Sequence, residues 1–222
     1  MPIKALIMDF DGVIVDSFRF HFEAWAACAS KMFDTPISIE DLLSIEAKNP
    51  HQIAKAICQK FGSPSLAPAL YEEKKRYLDT TQRVPEIYKG AYGLHKWVAL
   101  NKIPWAIASN SSKTFLRRAA GFYQLNFDAI LGMEDYREPK PSPEAFLLAA
   151  KKLGVPLGDH QHVFVIDDST RCVRAAKKAG MKAIGVTTTQ HKIKIESADP
   201  DYVTESINCS DLLYFLDTKL QA

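Results

Sequence analysis

The chain has 222 residues, 47% of them hydrophobic and 24% charged, an ordinary balance for a soluble globular protein with room for a sizeable core in one large domain or two modest ones. Its 28 basic and 26 acidic residues leave a net charge of +2, which gives no reason to propose a nucleic-acid or membrane partner. Cys28, Cys58, Cys172 and Cys209 are widely spaced, with no C-x-x-C pair and no Cys/His cluster, so they read as reduced thiols of a cytoplasmic protein rather than a disulfide frame or a zinc site. Lys4 and Asp9 bracket a short apolar run at the start, and no signal peptide or membrane span is expected.

Residues 3–8 form the first of several short, continuous apolar runs. The others are 103–108, 127–131, 163–166 and 183–186. Continuous rather than alternating runs suit strands covered on both faces. Helical segments separate the later ones: 114–120 ending at Gly121, 143–153 opening on proline after Ser142 and stopping at Gly154, and 170–179 ending at Gly180. Strands alternating with helices imply an α/β fold with a parallel, doubly wound sheet.

The interval from Asp16 to about Leu100 is too long for a simple crossover. Phe18, Phe22, Trp25, Ala29 and Met32 recur at spacings of three and four, which predicts one helix with an apolar stripe. Ile53, Ala54, Ile57 and Phe61 predict a second, and residues 71–78 a third with a charged outer face. Gly90 and Gly93 precede another helix at 94–100. The economical reading is a helical insertion over residues 16–90, with 1–15 and 91–222 forming the sheet domain.

In open parallel sheets, ligands bind beyond the carboxyl ends of the strands. Those ends carry Asp9 and Asp11, then Ser109, Asn110 and Ser111, then Lys140 in "EPKPSPEAF", then Asp167 and Asp168. Each has a plain alternative. Asp11-Gly12 is a good turn pair, Asp16 or Ser17 could cap the next helix, and Asp168 could cap the helix near Thr170. Together they are harder to dismiss, because clustered carboxylates repel unless a cation sits among them. Hard carboxylate oxygens suit Mg²⁺, which leaves room for a phosphate. Such a set can carry phosphoryl transfer. Asp9 can attack phosphorus, and Asp11, two residues along an extended chain, can protonate the leaving oxygen. Ser109 and nearby N–H groups can hold phosphate oxygens, Lys140 can offset charge, and Asp168 with Asp167 can anchor the metal.

"DFDGVIVDS", "AIASNSS", "KPSPEAF" and "VIDDSTRCVRAAKKAGMKAIGV" resemble, in order, the four motifs of the haloacid dehalogenase superfamily, and look most like its β-phosphoglucomutase-type branch. The resemblance implies a Rossmann-like core, a helical cap inserted after the first strand, and Mg²⁺-dependent chemistry through an aspartyl-phosphate. It assigns Asp9 as nucleophile, Asp11 as acid/base with its carbonyl on Mg²⁺, Ser109 and Asn110 as phosphate ligands, Lys140 as the motif lysine and Asp168 as direct metal ligand. Asp167 stands where many relatives have glutamate, which implies a water-mediated contact. The stretch "HFEAW" resembles one in β-phosphoglucomutases whose histidine faces the active site, making His21 a candidate substrate residue; a helix-surface or hinge histidine is the alternative. The cap stretch "SIEAKNPHQ" departs from the sugar mutases, which carry glycine and arginine there. Lys48 could substitute in part, but lysine lacks the guanidinium fork.

The expected function is therefore a Mg²⁺-dependent phosphatase acting on a small phosphorylated metabolite, such as a sugar phosphate. A phosphohexomutase is the runner-up, supported by "HFEAW" and weakened by the cap loop. A dehalogenase would need neither Asp11 nor a metal. A phospho-accepting signalling module would be shorter and carry no insertion. The sequence is silent on oligomeric state, with a monomer a plausible form.

Overall fold

In the computed structural model, residues 2–43, 45, 50–208 and 210–220 are described. β1 (Ala5–Met8) and β2 (Val15–Asp16) open the chain. The helices α1 (Phe18–Phe33), α2 (Ile39–Leu43), α3 (Pro50–Lys60) and α4 (Ala67–Thr80) follow. β3 (Glu86–Ile87) leads to α5 (Gly90–Asn101), β4 (Trp105–Ala108), α6 (Lys113–Phe122), β5 (Ala129–Leu131) and α7 (Glu144–Lys152). The chain continues through β6 (Val163–Asp167), α8 (Thr170–Lys178), β7 (Lys182–Val186), α9 (Lys192–Glu196), β8 (Tyr202–Thr204) and α10 (Ser210–Leu220).

Contacts divide the chain into two compact units, Met1–Asp16 with Pro85–Ala222, and Ser17–Val84. The expected borders at residues 15 and 90 differ from this division because of a small antiparallel ladder. Val15 pairs with Ile87 and Asp16 with Glu86, and the Tyr88 N–H donates to the Ile14 carbonyl at 3.0 Å. That ladder holds residues 85–90 to the sheet unit.

The sheet unit carries a six-stranded sheet in the order β5-β4-β1-β6-β7-β8, with every pairing parallel. β1 is central, with Met8 opposite both Ile107 and Ile166. Strands β1, β4 and β6 are buried throughout, which is why they read as unbroken apolar runs. On one face, Ala145, Phe146, Ala149 and Ala150 of α7 and Cys172, Val173 and Ala176 of α8 pack on Ile7, Ala106 and Val165. On the other, the His95 ring of α5 stacks on Trp105, and Phe215 of α10 stacks on Tyr202 with its edge to Phe164. The doubly wound α/β reading is borne out.

Three local expectations need correction. First, α6 runs through Gly121 to Phe122, because burial of Phe115, Leu116, Ala119 and Ala120 outweighs the roughly 1 kcal/mol cost of a helical glycine. Second, Gly90 and Gly93 do not precede α5: Gly90 is its first residue and Gly93 lies in its first turns. A Cβ on Gly90 would lie 2.6 Å from Asn208 Cα, so close backbone approach, not turn geometry, explains that glycine. Third, edge strand β8 was not anticipated; it is three residues long within the charged stretch "DPDYVTES".

The helical unit has its own core. Trp25, Cys28 and Ala29 of α1, Ala54, Ile57 and Cys58 of α3, and Leu70, Tyr71 and Leu78 of α4 are buried. The expected α1 stripe is rotated. Phe20 and Ala24 are buried, whereas Phe18 is 53% exposed and its ring lies tilted against Phe22. The face that α4 covers decides this, and a spacing rule alone cannot name that face. Cys28, Cys58 and Cys172 are unbonded thiols. Among the described residues no helix is long and apolar enough to cross a membrane.

Candidate active site

The carboxyl ends of β1, β4 and β6 bring the chemistry-bearing residues of the sheet unit together. β1 delivers Asp9, whose N–H continues the ladder by donating to the Ile166 carbonyl at 2.9 Å. β6 delivers Asp167 and then Asp168. The loop between β5 and α7 returns Lys140 to the same edge. Its side chain is 2% exposed, and Nζ lies 3.0 Å from Asp9 Oδ2 and 2.9 Å from Asp167 Oδ2. Nζ also sits 5.4 Å over the Phe146 ring.

Burial sets the electrostatics. It pushes the Asp9 carboxyl up to about 7; Lys140 opposes this, while Asp167 and Asp11 add to it. It likewise raises Asp168 to about 8, with the Asp167 and Asp9 charges adding and the Thr189 hydroxyl opposing. Burial also works against the Lys140 charge, but Asp167 and Asp9 outweigh it and hold that ammonium well above its usual range. One lysine thus faces a set of carboxylates that its charge does not balance.

A cation would complete that balance. Asp9, Asp167 and Asp168 each offer an oxygen, and these atoms lie within 4.8 Å of one another. Hard carboxylate oxygens in a buried, negative cluster fit Mg²⁺. Asp167 Oδ1 accepts from the Ser169 N–H at 2.9 Å and Oδ2 from Lys140, and Asp9 is engaged in the same way, by the Phe10 N–H at Oδ1 and Lys140 at Oδ2.

Asp11 turns toward the β4 end. Its Oδ2 accepts from the Ser111 hydroxyl at 2.5 Å and from the Ser109 hydroxyl at 3.4 Å. Between Asp11 and Val15 the chain reverses tightly. Gly12 adopts a φ of +76°, its N–H donates to the Val15 carbonyl at 2.8 Å, and the Ile14 N–H to the Phe10 carbonyl at 2.9 Å. The turn reading of Asp11-Gly12 therefore holds alongside the cluster. Ser17 precedes α1 but makes no side-chain cap bond.

The Asn110 side chain is engaged with the Lys140 loop. Its Oδ1 accepts the Lys140 N–H at 2.9 Å, and its Nδ2 donates to the Lys140 carbonyl at 3.1 Å. The Tyr136 hydroxyl donates to the Ser109 carbonyl at 2.5 Å and lies 3.0 Å from Asn110 Oδ1. Asn110 and Tyr136 thereby join the β4 end to the segment carrying Lys140.

Sequence reading did not single out Tyr136, Ser111 as an Asp11 partner, or the loop after β7. In that loop the Thr188 hydroxyl donates to the Gly12 carbonyl at 2.5 Å, and the Thr189 hydroxyl donates to Asp168 Oδ2. The position of Thr188 and Thr189 just past the carboxyl end of a parallel strand was the available signal.

The remaining candidates lie elsewhere. His21 is in the helical unit, where its Nδ1 is 3.2 Å from Lys74 Nζ, and that ammonium lies 5.1 Å over the Trp25 ring. Lys48 lies outside the described residues.

Comparisons with known proteins agree with this geometry. A family model described as haloacid dehalogenase-like hydrolase matches residues 6–186. The chain is 29% identical to Protein SUPPRESSOR OF QUENCHING 1, chloroplastic, of Arabidopsis thaliana over 92% of its own length, but it spans 20% of that protein. It is 27% identical to the fructose-1-phosphate phosphatase YqaB of Escherichia coli (strain K12), over 82% of this chain and 95% of the relative. The crystal structure of β-phosphoglucomutase from Clostridium difficile matches it with a TM-score of 0.72 at 25% identity, covering 98% of each chain. The matched span runs from β1 to the end of β7 and so includes every motif of the strand-end cluster: the chain is an enzyme of the haloacid dehalogenase-like hydrolase family.

Proposed function

We propose that this enzyme is a phosphatase that hydrolyses small phosphomonoesters, sugar phosphates among them, through an aspartyl-phosphate on Asp9. The observation that carries the reading is the Lys140 ammonium between Asp9 and Asp167, beside Asp168, at one sheet edge. An Asp9 carboxylate oxygen attacks phosphorus, and the bond to the leaving oxygen breaks. Asp11 gives that oxygen its proton, then takes one from the water that attacks the intermediate, so free phosphate leaves and Asp9 is restored. The Ser109 hydroxyl and the Asn110 backbone N–H hold phosphate oxygens, the Asn110 side chain being engaged with the Lys140 loop. Lys140 offsets charge on both nucleophile and phosphate.

Asp9 and Asp168 with the Asp11 carbonyl would hold Mg²⁺, and Asp167, a shorter side chain than the glutamate many relatives carry there, would contribute through water. When bound, Mg²⁺ supplies the positive charge that keeps the buried carboxylates ionised and stabilises charge on the transferring phosphoryl group. The helical unit, entered and left through the β2–β3 ladder, serves as the cap. The scattered thiols fit a cytoplasmic setting.

A phosphohexomutase is the second reading, favoured by the likeness to β-phosphoglucomutase and by His21 beside Lys74. The deciding assay follows both products across a panel of metabolite phosphates with Mg²⁺, and repeats each hexose phosphate with a trace of its bisphosphate. Multiple turnovers of free phosphate are expected. Isomerised sugar phosphate without net hydrolysis would establish the mutase, and no turnover on any substrate would end the phosphatase reading.

A further inference from the structure

The loop after β7 reaches the candidate site at two places through consecutive hydroxyls. Thr188 donates to the Gly12 carbonyl at 2.5 Å, within the tight turn that follows the nucleophile strand. Thr189 donates to Asp168 Oδ2, and its hydroxyl lies 3.4 Å from the Asp168 carbonyl oxygen. Gly12 closes the arrangement. A Cβ on it would lie 2.9 Å from Asp168 Cγ and 3.0 Å from Thr189 Cγ2. The bare Gly12 backbone, the Asp168 carboxylate and the Thr189 side chain thus pack directly on one another.

Gln190, the next residue, fastens the far end of the loop. Its Oε1 accepts from the Thr170 hydroxyl at 2.7 Å, at the first turn of α8. The loop is therefore tied to β1's turn at Thr188 and to the start of α8 at Gln190, with Thr189 on Asp168 between these ties.

We propose that Thr189 is a positioning residue for the cation site: its hydroxyl fixes the rotation of the Asp168 carboxylate, and Thr188 fixes the loop by bonding to Gly12. This rests on the reading of Asp9, Asp167 and Asp168 as a Mg²⁺ site. A carboxylate on a short side chain turns about one terminal bond. A donor on one oxygen selects a single orientation before any ion arrives, and so lowers the ordering cost of binding. Thr189 itself is exposed, so it makes little contribution to the core, and its exchange for valine keeps the branched shape.

The test is calorimetric titration of the metal-free full chain with Mg²⁺ alone, without substrate, on wild type, Thr189→Val and Thr189→Ser. Removal of the donor in Thr189→Val is expected to weaken Mg²⁺ binding by about tenfold, in line with loss of a hydrogen-bond partner to a metal ligand. Thr189→Ser, which keeps the hydroxyl, is expected to bind within about two- to threefold of wild type, and the metal-free melting temperatures of all three should agree. Wild-type Mg²⁺ affinity in Thr189→Val would overturn the role of Thr189. Equal losses in both variants would overturn the role of the hydroxyl. A wild-type chain that takes up no Mg²⁺ would instead overturn the metal site, and this role with it.

Discussion

At the end of β1, opposed influences set the state of Asp9. Burial favours its neutral form, while Lys140 at 3.0 Å and the Phe10 N–H at 2.7 Å favour the carboxylate that a nucleophile must be. Asp9→Asn keeps the shape and removes the nucleophile. It is expected to lower phosphate release by roughly 10³-fold or more, with an unchanged circular dichroism spectrum and no fall in melting temperature. Substantial residual turnover in that variant would remove Asp9 from the reaction. Asp11 sits differently. Its Oδ2 is bonded to Ser111 and Ser109, both at the end of β4, so the hydroxyl expected to hold phosphate also touches the expected acid.

Turns and strand ends carry the next level of organisation. The turn after β1 needs a residue at φ +76° with nothing beyond Cα, because the Asp168 carboxylate occupies the space. Gly12→Ala should therefore cost about 1–2 kcal/mol in left-handed backbone strain alone, and displace Asp168 besides. Its denaturant midpoint should fall and its Mg²⁺ requirement rise; wild-type values for both would refute the packing argument. At the opposite side of the sheet, Asp201 joins β7 to the start of β8. It accepts from Lys182 at 2.8 Å, the Ala183 N–H at 2.9 Å and Lys177 at 3.0 Å. Burial raises its pKa, but these donors outweigh burial and hold the carboxyl below its usual value. A depressed carboxyl contributes stability above its unfolded value, near pH 3.9, and loses that contribution as pH falls through the folded value. Asp201→Asn should accordingly melt below wild type at pH 6, with the gap closing toward pH 3. A gap independent of pH would show that the ion pairs there contribute nothing.

For the whole molecule, the unbalanced carboxylates predict that Mg²⁺ acts on stability as well as on turnover. EDTA should silence phosphate release, and added Mg²⁺ should restore it. Mg²⁺ should also raise the melting temperature in a concentration-dependent way, as any ligand of the native state does. Activity indifferent to chelation would count against the metal assignment. Among the described residues of the helical insertion, the buried side chains are apolar apart from Ser17 and Lys74, and Lys74 lies beside His21 and over Trp25.

The amino-acid sequence alone determined the parallel sheet, the insertion and the family. β1, β4 and β6 are buried on both faces, so their apolar runs are unbroken and easily read, and four ordered motifs mark the strand ends. Asp9, Lys140, Asp167 and Asp168 could be named because strand ends in such a sheet share one edge. Tertiary structure decided what spacing cannot encode. Which face of α1 is buried depended on α4, not on periodicity. Gly121 looked like a helix end, yet core packing kept it inside α6, and Gly90 opens α5 as a glycine because the backbone at Ile207 and Asn208 leaves no room for a Cβ. The engagement of Asn110 with the Lys140 loop, of Asp11 with Ser111, and of Asp168 with Thr189 depends on side chains 30, 100 and 21 residues apart. Hydrogen bonds over such separations follow from the crossing of loops at the sheet edge, and a local pattern holds no record of them.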